Sequence, residues 1–145
     1  MKFRFLTEEL IRYNDMKAAI SSLKEQIETL ELEATSIKAT DYSRDVVSGG
    51  GDNIKEANLV ENIAKREQME RDLKITEKNV KSIEIALNGI TESERTILTR
   101  MYINREHRAA ERIMDEMSIE QSQLYRLKDK ALLHYGVRKY GNISL

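Results

Sequence analysis

The chain contains no cysteine, no proline and no tryptophan. Without cysteine there is no disulfide framework, no thiolate metal site and no cysteine nucleophile, so nothing in the sequence calls for an oxidising compartment. Two histidines, His107 and His134, are too few and too far apart for a histidine-rich metal site. No run approaches the ~20 apolar residues that a membrane span needs, and the opening MKFRFLTEEL turns acidic before a signal-peptide core could form. A cytoplasmic chain with no membrane contact, metal or cofactor is therefore expected. With no proline, no helix interior is broken by a residue that cannot donate a backbone hydrogen bond. Long helices follow from that absence.

What the sequence does contain is charge. Of its 145 residues, 24 are Lys or Arg and 25 are Asp or Glu, and the near balance of the total conceals an uneven distribution. Residues 1–87 hold 14 basic and 17 acidic residues, residues 88–145 hold 10 and 8, and from Met117 onward there are 5 basic against 2 acidic. The sign of this asymmetry places any nucleic-acid surface at the C-terminal end.

Tyr13, Met16, Ile20, Leu23, Ile27, Leu30, Ala34 and Ile37 follow one another at alternating spacings of three and four, the heptad seam of a coiled coil. Leu6 and Leu10 extend the apolar face, which predicts a helix over residues 6–38. At 1.5 Å per residue it would be ~50 Å long, too long for the core helix of a small compact domain. Residues 39–53 then lose the helical period and include Gly49, Gly50 and Gly51, which predicts a glycine-rich loop. This loop follows a helix and lacks the Lys-Ser/Thr of a phosphate-binding loop, which argues against nucleotide binding. Asn53 or Asp52 would cap the next helix. That helix, over 53–88, keeps the three/four spacing at Leu59, Asn62, Arg66, Met69, Leu73, Thr76, Val80, Ile83, Leu87 and Ile90. Pairs such as Glu61 with Lys65 and Glu67 with Arg71 support its exposed face. Two helices folded back on each other bury one stripe each, which is too little to be stable alone, so the hairpin is expected to form a homo-oligomer or to pack on another protein.

Beyond Gly89, Thr91 and Glu94 have the spacing of a capping box. A helix starting there carries Ile97, Leu98, Met101 and Tyr102 on its apolar face. A second, over 107–117, turns Ala109, Ala110, Ile113, Met114 and Met117 inward, and a third, over 121–135, turns Leu124, Leu127, Ala131, Leu132 and Tyr135 inward. Gly136 and Gly141 bracket a short tail. Three short helices, the last two separated by three residues, are the arrangement of a helix-turn-helix, whose last helix lies in the major groove of DNA. Its outward face would carry Gln121, Ser122, Gln123, Tyr125, Arg126 and Lys130. Gln pairs with adenine, Arg with guanine, Ser with several base edges, and Lys suits a phosphate.

IMDEMSIEQSQLYRLKDKALLHYG, residues 113–136, resembles the second half of the promoter-reading helix-turn-helix of bacterial sigma factors. It is more similar still to the ArpU/RinA-type transcriptional activators of phages and prophages of Gram-positive bacteria, whose recognition segment carries a Tyr-Arg-x-Lys-x-x-Ala-Leu run. Here the run is Tyr125, Arg126, Leu127, Lys128, Asp129, Lys130, Ala131 and Leu132. ILTRMYINRE, residues 97–106, resembles the preceding helix of that group, and Tyr42-Ser43 and Ser48-Gly49-Gly50 its hairpin loop. Ser118 departs from the usual turn Gly, and Glu120 from the usual Ser cap, for which Glu is a poorer substitute.

The expected fold is all-α: a coiled-coil helical hairpin over residues 1–88, followed by a small three-helix helix-turn-helix domain over 89–145. The resemblance implies a sequence-specific regulator that binds double-stranded DNA and activates phage or prophage late genes, with host RNA polymerase as a further partner. Gln121, Ser122, Gln123, Tyr125 and Arg126 would line or read the groove, and Arg105, Arg108 and Lys130 would contact backbone. The alternative is an adaptor that binds polymerase or another phage protein through the coiled coil without specific DNA binding. No nucleophile and base occur together, so an enzyme is not expected.

Overall fold

The computed structural model describes residues 3–43 and 50–142, and among them the chain is all-helical, with no strand. Five α-helices follow in order: α1, Arg4–Ser43; α2, Gly50–Asn88; α3, Glu92–Leu98; α4, Ala109–Met117; and α5, Gln121–Tyr140. A π-helical turn, Thr99–Ile103, continues α3. No helix among the described residues is long and apolar enough to cross a membrane.

The long helices run further than the period of their sequence suggests. Residues 40–43 belong to α1 and residues 50–53 to α2, so much of the expected loop is helix. Asp52 and Asn53 therefore lie inside the first turns of α2 instead of capping it. Each Gly costs about 1 kcal/mol against Ala in a helix, which the propagation of an already nucleated helix offsets. Residues 44–49, with Ser48 and Gly49, lie outside the described residues.

The chain divides into two compact units. One comprises residues 18–77, the central parts of α1 and α2. Its seam is the one the heptads mark: Ile20, Leu23, Ile27, Leu30, Ala34 and Ile37 on α1, and Leu59, Asn62, Arg66, Met69, Leu73 and Thr76 on α2, are all buried or half-buried. The polar members of the seam are bonded. Asn62 is buried; its Nδ2 donates to the Leu30 carbonyl at 2.9 Å, and its Oδ1 accepts from Arg66 Nε at 2.8 Å.

The other unit comprises residues 1–17 and 78–145. It thus takes in the outer ends of both long helices as well as residues 89–145. Its main core joins Leu6 and Leu10 of α1, Ile83, Ala86 and Leu87 of α2, Ile90, Leu98 of α3, Ile103, and Ala131, Leu132 and Tyr135 of α5. Tyr135 is fully buried, and its hydroxyl donates to Glu9 Oε2 at 3.2 Å. The same carboxylate pairs with Lys139 Nζ at 3.0 Å. Burial and the neighbouring Glu9 carboxylate push the Tyr135 phenol well above its ordinary range, so it stays a neutral donor.

Three helix ends in this unit are satisfied by side chains, which supply partners for the orphan groups of helix termini. Arg95 Nε donates to the Leu87 carbonyl at 3.0 Å, closing the end of α2. The Thr91 capping box is formed: Glu94 N–H donates to Thr91 Oγ1 at 3.2 Å, and Thr91 N–H to Glu94 Oε1 at 3.3 Å. Asn14 Nδ2 donates to the Ile103 carbonyl at 3.1 Å, at the end of the π turn.

Candidate nucleic-acid interface

α4 and α5 meet over a second, smaller core. Ile97 of α3, Ile113 of α4 and Leu124 of α5 are buried together, with Met101, Ala110, Met114, Ile119 and Leu127 packed around them. Between the helices lie only residues 118–120. The turn is made by Ser118, which adopts the left-handed conformation at φ 55° and donates its backbone N–H to the Met114 carbonyl. The Ile119 N–H donates to the same carbonyl at 3.1 Å. A left-handed non-Gly residue costs ~1–2 kcal/mol, so Ser118 bears strain where Gly would not.

One helix boundary and the burial of one residue differ here from the sequence reading. α5 does not stop at Tyr135 but continues to Tyr140, because Gly136 is buried within it and the chain turns only at Gly141, at φ 80°. Residues 137–140 are therefore helix, not tail. Met117, expected to face inward, is 42% exposed: it lies in the last turn of α4, beyond the reach of the small core.

Gln121, Ser122, Gln123, Tyr125, Arg126 and Lys130 are all exposed on α5. Two of the three amide or phenol groups are already engaged with each other, since Gln121 Nε2 donates to Tyr125 Oη at 3.1 Å. Gln123 is turned back on the helix start, where its Oε1 accepts from the Glu120 N–H at 3.2 Å. The Gln at the third position thus does the return half of a capping box, easing the poor cap that Glu120 provides. Ser122, Arg126 and Lys130 have no side-chain partner among the described residues. Lys128, which the spacing did not single out, lies with its Nζ 4.9 Å from the Tyr125 ring centroid, a cation–π distance.

Arg105 and Arg108 are exposed in the segment that joins the π turn to α4, and among the described residues no bond joins them to the α5 group. Both adopt left-handed backbone, at φ 49° and 53°. α4 accordingly starts at Ala109 and not at His107, with Arg108 as its cap residue and no side-chain cap bond.

Sequence reasoning missed the group that holds this segment. Arg100, in the π turn, has only 18% of its side chain exposed, and its Nε donates to Glu106 Oε2 at 2.6 Å. Its two terminal nitrogens grip Glu116 at 2.5 Å and 3.3 Å. The Glu106 main chain is bound as well: its N–H donates to the Arg100 carbonyl at 3.1 Å, and its carbonyl accepts from the Ala109 N–H at 3.2 Å. The (i, i+6) and (i, i+16) separations of these partners follow no helical period, which is why spacing did not find them. His134, which falls at the end of the helix expected over 121–135, instead lies within α5 with its Nδ1 2.5 Å from Glu94 Oε2. Burial pushes the Glu94 carboxyl up, but hydrogen bonds from Thr91 and the nearby His134 outweigh it and hold the group below the ordinary carboxylate value.

The surface is therefore a helical one, with two arginines on a strained segment, a polar and basic face on α5, and acidic residues Glu111, Asp115 and Glu120 exposed nearby. Its groups can donate to phosphates and base edges. No curated protein and no solved structure matches the chain. A family model described as a protein of unknown function, DUF1492, matches residues 34–135, from the last turns of α1 to Tyr135 in α5. As this match covers well over half of the sequence, the chain belongs to the DUF1492 family.

Proposed function

We propose that the chain is a sequence-specific regulator of transcription that binds double-stranded DNA through α4, residues 118–120 and α5, as a sigma-like helix-turn-helix. The observation that carries this reading is the pairing of a nine-residue α4 with α5 across three residues on a shared core, which leaves one face of the first two turns of α5, with Gln121, Ser122, Gln123, Tyr125 and Arg126, exposed. A helix presented in this way can enter the major groove by its N-terminal end. Arg126 suits a guanine edge, Ser122 a base edge, and Lys130, Arg105 and Arg108 the phosphates. With Gln121 and Tyr125 bonded to each other, they act as one polar unit. The long helices are read as a helical hairpin through which copies of the chain assemble, and as the surface offered to RNA polymerase. The ArpU/RinA-like run from Tyr125 to Leu132 supports activation of phage or prophage genes.

A mobility-shift titration of the full chain against fragments of the genome that encodes it, repeated across salt concentrations, tests the proposal. Retention of particular fragments, falling steeply as salt rises, is expected; no retention even at low salt would refute it. Arg126→Ala should then weaken binding to a retained fragment by about 1–3 kcal/mol and relax specificity at one base position. Unchanged affinity removes Arg126 from the reading group.

The exposed apolar residues Leu133, Val137 and Tyr140 on the later turns of α5 favour a second reading. In it the chain is an adaptor that docks on another protein, such as RNA polymerase, without specific DNA binding. Co-purification with polymerase, together with absence of fragment selection, would favour it.

A further inference from the structure

Among the groups that the DNA reading leaves unused, the strongest is the Arg100 cluster. Glu106 is half-buried and bound at three points: its carboxylate and N–H to Arg100, and its carbonyl to the Ala109 N–H. On either side of this anchor, Arg105 and Arg108 are exposed and left-handed. When Glu106 turns inward, the backbone turns both arginines outward. Two such departures from ordinary backbone, close together, persist only where the surroundings over-determine them, and the Arg100–Glu106 tether is the interaction here that does so. Arg100 is in turn fixed by its two-pronged grip on Glu116 at the end of α4, and the hydrogen bonds from Arg100 hold the Glu116 carboxyl below the usual carboxylate range.

We infer that Arg100 and Glu106 are positioning residues for DNA binding: they touch no DNA, but fix the strained segment that presents Arg105 and Arg108 to the phosphate backbone. This role rests on the DNA reading above and makes a prediction opposite to simple charge counting. Removing the acidic Glu106 from a DNA-binding surface should strengthen binding if charge alone matters. If the tether matters, Glu106→Ala should weaken it, because both arginines lose their fixed placement.

The test uses the full chain and a labelled random-sequence duplex, with anisotropy measured over a series of potassium chloride concentrations. Glu106→Ala leaves the Arg100–Glu116 grip in place, so the variant should keep its helical circular-dichroism spectrum. Expected is ~10-fold weaker binding at low salt and a salt slope shallower by ~0.9 for each phosphate that the arginines no longer neutralise. In a background that already carries Arg105→Ala and Arg108→Ala, the same substitution should have no further effect. Arg100→Gln should behave like Glu106→Ala. Equal or tighter binding by Glu106→Ala, or an equal loss in the Arg105→Ala/Arg108→Ala background, overturns the positioning role while leaving the DNA reading intact. Failure of the unaltered chain to bind the duplex at low salt would instead refute the DNA reading, and this role with it.

Discussion

Ser118 and Glu94 show how single residues set the stability of the C-terminal surface. Ser118 occupies left-handed backbone that Gly adopts without strain. Ser118→Gly should therefore stabilise the chain by about 0.5–1 kcal/mol, the relief of strain less the extra freedom gained by the unfolded chain. Urea denaturation should show a higher midpoint at unchanged slope; a lower midpoint would mean that the Ser side chain contributes something the turn needs. Glu94 gives a pH dependence of definite sign. Its folded-state pKa lies below the ordinary 4.5, so its ionised form stabilises the fold fully above that value, and the contribution is lost as pH falls through the lowered pKa. The gap in urea midpoint between the unaltered chain and Glu94→Gln should accordingly be widest above pH 4.5 and close on acidification. A constant gap would assign the effect to shape instead of charge. Thr91 and Glu94 were legible as a capping box because the motif spans only four residues. The bond from Glu94 to His134 was not, because its 40-residue separation is a product of packing and not of local pattern.

The elements show the same division between local and long-range information. In α1 and α2 the heptad spacing marked the residues that are buried, since a helix repeats its face every three or four residues whatever it packs against. Helix ends were harder to read. Gly50 and Gly136 looked like punctuation, yet both are helical, because continuing a helix costs less than the propensity of one Gly suggests once neighbours pack. The left-handed Arg105 and Arg108 carried no sequence signal, since neither is a residue that favours that conformation. Among the polar members of the seam, Asn62 is the one that is buried. Replacing it by Leu should raise the melting temperature, because an amide is exchanged for buried apolar surface. It should also loosen the specificity of helix pairing, because a buried Asn at such a position fixes register and partner number. Analytical ultracentrifugation should then show a broader spread of assembly states than for the unaltered chain; a single species with a lower melting temperature would contradict this account.

For the whole molecule, the important fact is that residues 89–145 do not by themselves complete the larger of their two cores. Leu98, Ile103, Ala131, Leu132 and Tyr135 are completed by Leu6, Leu10, Ile83, Ala86 and Leu87. A fragment of residues 89–145 should therefore lack a cooperative thermal transition and show poorly dispersed amide resonances, although its sequence reads as a self-contained domain. A sharp transition would show that the smaller core around Ile97, Ile113 and Leu124 suffices. The exposure of Gln121, Ser122, Gln123, Tyr125, Arg126 and Lys130, the α5 residues proposed to face DNA, was legible, since helix periodicity placed them outward. The dependence of their platform on the opposite end of the chain was not. That dependence also governs how the protein comes into being. Glu9 and Tyr135 are separated by 126 residues, so the first turns of α1 leave the ribosome long before the helix they must pack against has been made. Leu6 and Leu10 therefore lack their α5 partners Ala131, Leu132 and Tyr135 until that helix has been made. Closure of the unit is then a long-range event, and the proposed DNA-binding surface gains its support only when α1 and α5 meet.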